Sequence, residues 1–247
     1  PFELFDVNQA TPGAMTIAPH SSTWYQDYQG DLAFKEVTGD FIVSSRLSLT
    51  DRDDRGGSDP DNIPADSWFS LAGIMVRTPT GIVDAESEWE AGNANFVFAA
   101  LGHSWDGTTS FESKTTTESV SQLEMRTLGA TEIELRVIRE GSTITTQYRL
   151  TATSDWEIGA VYDRPDMPAT LQVGLMAATD FAKVATFTPL YANSHTLEDS
   201  PENTANSSEP WREYNPDIQA RFDYIRFERP AVETITVVAD VEVVNPG

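Results

Sequence analysis

The sequence predicts an all-β protein in which two antiparallel sheets pack face to face as a sandwich. About a dozen short apolar segments are separated by turns rich in Gly, Pro, Asn and Asp. Within the stretch from Ala169 to Phe187, the apolar residues Leu171, Val173 and Leu175 alternate with polar or small ones, which is typical of a strand with one buried face. In addition, the sequence contains no convincing amphipathic helix of more than two turns.

In the first half of the chain, strands are predicted where short apolar runs stand between turn residues. Asn8–Ser22 contains two prolines and a glycine and is predicted to be a loop. Gly73 predicts close packing or a bulge in its strand, and the almost wholly apolar run Asn95–Leu101 predicts burial on both faces. The predicted strands are Pro1–Val7, Leu32–Val37, Asp40–Thr50, Trp68–Arg77, Asn95–Leu101, Phe111–Lys114 and Gln122–Thr127.

Two runs in the second half are predicted to pair directly. Ile133, Leu135 and Val137 share one face of Glu132–Glu140, and a turn at Gly141-Ser142 leads into Thr143–Leu150. Together with the strand around Leu171, these pieces predict one antiparallel meander on which the rest of the chain packs.

The segments after this meander carry fewer signals. A polar turn at Thr179–Lys183 is predicted to lead into a returning strand, Val184–Phe187. Ala192–Asn215 is a polar segment of a length that is usually functional or mobile. Gln219–Phe227 is the last clear strand, and Thr234–Val244 either closes the sandwich or begins a linker.

Composition excludes several classes of function. The chain carries 39 acidic and 16 basic side chains, for a formal charge of −23, so it repels a phosphate backbone and nucleic acid is not an expected partner. Without cysteine it has no disulfides, thiolate metal sites or cysteine nucleophile. No apolar run approaches the roughly 20 residues needed to cross a membrane, so membrane insertion is not expected.

A set of motifs in a fixed order resembles a known group. The motifs are Thr38-Gly-Asp-Phe, Ala72-Gly-Ile-Met-Val-Arg, Glu134-Leu-Arg-Val-Ile-Arg-Glu-Gly, Leu171-Gln-Val-Gly-Leu after Arg164-Pro-Asp-Met-Pro, and Phe222-Asp-Tyr-Ile-Arg-Phe. From Trp24 to Arg229 the chain is similar to the concanavalin A-like lectin/glucanase superfamily, close to its DUF1349-like and laminin-G-like bacterial branches. The resemblance implies a jelly roll of two curved antiparallel sheets, and relatives often lie beside hydrolase or adhesin modules in exported proteins. Fold alone does not settle activity.

The first candidate for chemistry is the alternating acidic run Glu86, Glu88 and Glu90. On a strand these carboxylates would line one groove, and retaining glycosidases need two carboxyl groups about 5–5.5 Å apart. Glucanases of the superfamily carry Glu-x-Asp-x-Glu on a strand of the concave face, whereas here the middle residue is Glu88. Nearby Gly81 and Gly92, and the lack of apolar residues on the opposite face, favour an exposed loop instead.

The second candidate is a calcium site in the acidic segment Asp51–Asp66. Calcium prefers several carboxylate and carbonyl oxygens on a flexible loop. Arg52 and Arg55 lie in the same segment, so a solvated loop with internal ion pairs is the alternative interpretation. The candidate metal ligands are Asp51, Asp53, Asp54, Asp59 and Asp61.

The third candidate is a set of aromatic residues with polar neighbours. Sugar rings stack on flat aromatic faces, while polar side chains bind their hydroxyl groups. The alternative is that several of these rings fill the ends of the sandwich. The candidate sugar-binding residues are Trp24, Tyr25, Trp89, Trp105, Asp106, Trp211, Arg212 and Tyr214.

These observations predict one concanavalin A-like domain over residues 1–230, with residues 231–247 as a closing strand or the start of a linker. The favoured function is non-catalytic binding of a polysaccharide or other glycan, with calcium in a structural role. A glycoside hydrolase or polysaccharide lyase, and a structural or adhesive spacer without a ligand, are the alternatives. Because the chain begins at Pro1, we take it as a fragment of a larger bacterial protein, monomeric and extracellular or on the cell surface.

Overall fold

The computed structural model describes residues 2–50, 68–80, 88–105, 108–197 and 216–231, and in these residues the chain is almost entirely β-structure. The strands of the first half are β1 (Phe2–Val7), β2 (Met15–Pro19), β3 (Asp31–Thr38), β4 (Phe41–Thr50), β5 (Leu71–Arg77), β6 (Phe96–His103), β7 (Thr109–Thr117) and β8 (Val120–Thr127). The second half contains β9 (Glu132–Glu140), β10 (Thr143–Arg149), β11 (Glu157–Asp163), β12 (Thr170–Ala178), the short helices α1 (Phe181–Val184) and α2 (Pro189–Ser194), and β13 (Gln219–Glu228).

The strands form two antiparallel sheets. One has seven strands in the order β1-β2-β13-β4-β9-β10-β11, and the other has six in the order β3-β12-β5-β6-β7-β8. The sheets pack face to face as a jelly-roll β-sandwich, so the predicted all-β fold class is confirmed.

Alternate residues of both sheets build the core between them. Ile133, Leu135 and Val137 of β9 are buried together, as their shared face predicts. From the facing sheet, β12 contributes Leu171 and Val173 to the same cluster. Burial of each such side chain contributes about 1.5–3 kcal/mol to the free energy of folding. The buried residues therefore determine which face of these strands points into the core.

β6 is buried on both faces, as its apolar sequence predicts. Val97, Ala99 and Leu101 belong to the core between the sheets, whereas Phe96 and Phe98 belong to a second apolar cluster. That second cluster lies on the outer face of the six-stranded sheet. This face must therefore be covered by other parts of the chain.

The predicted meander is wrong in one respect. β9, β10 and β11 do form a meander in the seven-stranded sheet, but β12 lies in the six-stranded sheet between β3 and β5. The chain crosses between the sheets through the turn after β11. Buried Arg139 supports this crossing by donating to the backbone oxygen of Ala169 at 3.1 Å.

Three further expectations are corrected. The predicted loop Asn8–Ser22 contains β2, because its proline and glycine at positions 12 and 13 lie in the turn that pairs β1 with β2. The predicted strand Val184–Phe187 is instead the end of α1 and the turn after it. β11 was not predicted at all.

Gly73 marks a close approach rather than a bulge. The pairing of β5 with both neighbours is regular around it. A Cβ atom at this position would clash with the carbonyl oxygen of Ala99 on β6. The glycine therefore lets the two strands approach closely beneath the outer cluster.

Candidate functional site

The outer face of the six-stranded sheet is covered by residues 20–30, which we call the covering segment. Its Trp24 is 3% exposed and packs edge-on against Phe96, with ring centroids 5.5 Å apart. The indole also donates a hydrogen bond to the backbone oxygen of Asp31 at 3.3 Å. This segment and the sheet together bury the apolar cluster of Trp24, Leu71, Met75, Phe96, Phe98, Ala100, Met176 and Ala178.

Polar contacts fix the covering segment at both ends. Ser22 and Thr179 exchange two backbone hydrogen bonds, of 3.1 and 2.8 Å, at the end of β12. Near the other end, Asp27 accepts hydrogen bonds from the backbone of Gly92 at 2.8 Å and from the Ser119 hydroxyl. The segment is thus held against the sheet at two separate places.

A pocket remains open beside Trp24. Its volume is about 250 Å³, and its lining consists of Thr23, Tyr25, Phe69, Lys114, Leu123 and Phe181. The Phe181 ring meets Tyr25 edge-on at 5.8 Å and Phe69 edge-on at 5.4 Å between centroids. Three aromatic rings from three separate parts of the chain therefore form adjoining walls.

The backbone around these rings is unusual. Phe69 has φ of 56°, and Asp180, directly before Phe181, has φ of 61°. Residues other than glycine seldom adopt this left-handed conformation, and such residues are frequent at functional sites. The backbone of Phe181 donates to the carbonyl of Trp68 at 3.2 Å, which joins the two segments.

Lys114, which lines the pocket, belongs to a buried ion pair. The Lys114 ammonium is 2.9 Å from Oε1 of Glu112, and both side chains are almost completely inaccessible to solvent. Lys114 also donates to the backbone oxygen of Trp24 at 3.1 Å. Its Nζ lies 5.3 Å from the Tyr25 ring centroid and 4.9 Å from that of Phe98, which adds cation–π attraction.

A second cation, Arg77 at the end of β5, also contacts the covering segment. The Arg77 guanidinium lies 5.6 Å from the Trp24 ring centroid and donates to Oε1 of Gln172 at 2.7 Å. Burial of the Arg77 side chain lowers its pKa to about 10. Arg77 does not line the pocket.

Two exposed tryptophans lie at the same end of the sheet as Phe69. Trp68 is 51% exposed and Trp105 is 64% exposed. The backbone of Phe69 donates to the carbonyl of His103 at 3.0 Å, so the chain segments that carry both indoles run side by side. Exposed indoles beside a pocket offer further flat surfaces for a ligand.

The structure places the aromatic candidates in different environments. Tyr25 lines the pocket, and Trp105 lies exposed near it. Trp24, in contrast, is a core residue whose ring is enclosed, so we correct its assignment as a stacking surface. Trp89 is half-buried in the connection before β6. The remaining candidates, Asp106, Trp211, Arg212 and Tyr214, lie outside the described residues.

Of the acidic candidates, the structure describes only Glu88 and Glu90, and neither lines the pocket. Glu88 and Glu90 are exposed and lie outside the strands, while Glu86 falls outside the described residues. The proposed calcium ligands Asp51, Asp53, Asp54, Asp59 and Asp61 also fall outside them. In the described part of the chain, no group of three or more His, Asp or Glu side chains is arranged to hold a metal ion. No described helix has the length and hydropathy to cross a membrane.

The sequence predicted only Tyr25 among the described residues of the pocket; the other five are Thr23, Phe69, Lys114, Leu123 and Phe181. Phe69 and Lys114 were placed in predicted strands, and Phe181 in a polar turn. The sequence does contain one signal for Lys114. Glu112 and Lys114 lie two residues apart on a strand that pairs with β6, whose sequence is mostly apolar. Opposite charges two residues apart on a strand share one face, and where that face is covered by other parts of the chain the two charges must be paired.

Known proteins share the fold but little sequence. No family model matches the chain, and no curated protein is significantly similar to it in sequence. A functionally unknown protein from Saccharomyces cerevisiae superposes with a TM-score of 0.56 at 17% identity, over 93% of this chain and 94% of that one.

Two bacterial structures are similar over part of their length. The xylan beta-1,4-xylosidase from Bacillus halodurans C-125 superposes with a TM-score of 0.53 at 12% identity. GH43B of a Bacteroides ovatus xyloglucan PUL superposes with a TM-score of 0.52 at 11% identity. Each match covers 90% of this chain but only 34% of the other, so this chain spans about a third of their length. At these identities the likeness shows the fold alone, a jelly-roll β-sandwich.

Proposed function

We propose that this protein is a non-catalytic carbohydrate-binding module and that the pocket beside Trp24 is its binding site. The observation that carries the proposal is the pocket lining, in which the rings of Tyr25, Phe69 and Phe181 stand together with Lys114. Aromatic walls with a few polar anchors are the usual form of a small-ligand site. Sugars suit such a lining because their C–H faces pack on rings while their hydroxyl oxygens accept hydrogen bonds.

The size of the pocket limits what it can take. Pockets for drug-sized ligands occupy about 300–1,000 Å³, and this one measures about 250 Å³. It therefore suits one or two sugar units rather than a long segment of chain. The exposed rings of Trp68 and Trp105 supply surfaces on which neighbouring units of a polysaccharide can stack.

The pocket supports binding over the two alternatives. Hydrolysis by the common glycosidase mechanisms needs two carboxyl groups on either side of the bond. None of the described residues that line the pocket carries a carboxylate, and nearby Glu112 is fully buried. A spacer without a ligand gives no reason for a pocket walled by aromatic rings.

The similar structures support a role beside carbohydrate-active enzymes. The Bacillus halodurans protein is a xylosidase, and this chain matches about a third of it. We accordingly propose that the protein is one module of a larger extracellular protein that acts on plant-type polysaccharides. Structural calcium bound by the segment Asp51–Asp66 remains part of the proposal.

Isothermal titration calorimetry with defined oligosaccharides tests the proposal. Xylo-, xyloglucan- and cello-oligosaccharides should include at least one ligand that binds saturably. Tyr25→Ala and Phe181→Ala should each weaken binding about tenfold, since each removes one aromatic wall. Phe34→Ala is the matched control, because Phe34 is 49% exposed on β3 at the opposite edge of the same sheet.

Two results would contradict the proposal. One is the absence of saturable binding across the whole panel, with and without calcium. The other is binding that the pocket variants retain at the strength of the Phe34→Ala control.

A further inference from the structure

We infer that the pocket selects uncharged sugars and rejects uronates, because Glu112 neutralises the cation that lines it. The inference rests on the proposed function and adds to it the class of sugar. Its basis is the charge balance of the residues around the pocket.

Lys114 is the one cation among the described residues that line the pocket. Glu112 and Lys114 lie two residues apart on β7 and therefore point to the same face of the sheet. The ammonium is 2.9 Å from Oε1 of Glu112, and the two side chains are 4% and 1% exposed. Charges this deeply buried are tolerated when they are paired, so the pair carries no net charge.

Glu112 has little other structural role. Apart from this ion pair, neither of its carboxylate oxygens has a hydrogen-bond partner among the residues that the structure describes. A buried carboxylate that lacks hydrogen bonds is destabilising, and such a group calls for a functional explanation. Cancelling the charge of the pocket's ammonium supplies one.

The hydrogen-bond donors of Lys114 that are left for a ligand suit a neutral acceptor. An ammonium has three N–H donors, and two are engaged by the Trp24 carbonyl and by Glu112. Among the partners that the structure describes, this leaves the third donor for one ligand oxygen. A uronate oxygen bound there would lie within about 6 Å of the Glu112 carboxylate, in a protein of formal charge −23. A hydroxyl or ring oxygen meets no such repulsion.

Other cations do not alter this balance. Arg77 contacts Trp24 of the covering segment, but it donates to Gln172 and does not line the pocket. The other side chains that line the pocket in the described part of the chain are uncharged.

Matched sugars that differ only in charge test the inference. The probes are cellotetraose and its C6-oxidised form, and xylotetraose with and without a glucuronate branch, all titrated at pH 7 and low salt. The wild-type protein should bind the neutral member of a pair at least tenfold more tightly. In Glu112→Gln the ratio should move about tenfold toward the uronate, and added salt should reduce that gain.

A second variant keeps the test valid if Glu112→Gln folds poorly. Leu123 lines the pocket from the edge strand β8 and is 39% exposed, so Leu123→Lys adds a cation without disturbing the buried pair. It should also shift preference toward the uronate, whereas the uncharged control Leu123→Gln should not.

Each outcome decides between the two claims. Binding of the uronates as tightly as the neutral sugars overturns the inference but leaves the proposed function intact. An unchanged ratio in both charge variants likewise overturns it. If no probe binds the wild-type protein, the proposed function fails and the inference fails with it.

Discussion

The buried pair of Glu112 and Lys114 makes a sharp prediction about stability. Lys114→Met keeps the length and apolar stem of the side chain but removes the ammonium, so it leaves the Glu112 carboxylate buried with no counter-charge. Removing one partner of a buried pair costs about 3–5 kcal/mol. The lost cation–π contacts with Tyr25 and Phe98 add about 1–2 kcal/mol each, since the ammonium is desolvated.

Substitution of the other partner, Glu112, should lower the free energy of unfolding by a smaller amount. Glu112→Gln leaves the Lys114 ammonium with the Trp24 carbonyl and two aromatic faces, so we expect a loss of about 1–3 kcal/mol. The double variant contains no buried charge and should lose clearly less than the sum of the single losses. A coupling energy of about 2–3 kcal/mol follows for the pair.

Urea-induced unfolding at pH 7, followed by tryptophan fluorescence and by circular dichroism, measures these differences. Coincidence of the two transitions checks two-state behaviour. Lys35→Met is the matched control, because Lys35 is exposed and its Nζ lies 3.6 Å from the Phe227 ring centroid. The reasoning is refuted if Lys114→Met costs no more than this control, or if the single losses simply add in the double variant.

Further predictions concern other parts of the fold. Phe111→Ala should lower the free energy of unfolding by about 3–5 kcal/mol in the same urea assay, because the ring is buried between the sheets and stacks on Tyr148 at 4.6 Å. Asp27→Ala should speed amide hydrogen exchange across the covering segment while costing less than about 2 kcal/mol globally, since it removes one of the several anchors of this segment. The hydrogen bonds from Arg164 hold the pKa of the Asp166 carboxyl below its usual value. The stability that Asp166 contributes is therefore fully present above its unfolded pKa, about 3.9, and is lost as pH falls through the lower folded pKa. Asp166→Asn should remove this acid-dependent part, which acid titration of the unfolding midpoint in both proteins will show.

The sequence predicts which face of each strand is buried better than it predicts which strand lies beside it. Alternation within β4, β9 and β12 identifies the inward residues correctly. The prediction of a single buried face is wrong for β12, because the outer face of this strand is buried as well, with Met176 and Ala178 in the outer cluster. The same pattern does not say which sheet β12 joins, since both sheets present apolar inner faces. The partner is decided by long-range packing, which local periodicity does not contain.

The candidate site could be predicted only in part for a similar reason. Tyr25 and Trp105 were identified because aromatic residues next to polar ones stand out in a sequence. Phe69, Lys114 and Phe181 lie far apart along the chain, and the sandwich brings them together. A pocket built from such distant segments leaves no spacing that a single sequence can reveal.

The covering segment explains why the site is a small pocket rather than a long groove. Trp24 packs on Phe96 and buries the outer face over the middle of the six-stranded sheet, so a polysaccharide cannot lie across all its strands. The open space is left toward β7 and β8, where Lys114 and Leu123 meet the three rings. A sheet face without Trp24 would present a broad apolar surface, whereas the filled face confines a ligand to one end. Trp24 is a core residue rather than a stacking surface, because its ring is buried. Under the proposed function, the same residue would also limit the length of ligand that the pocket accepts.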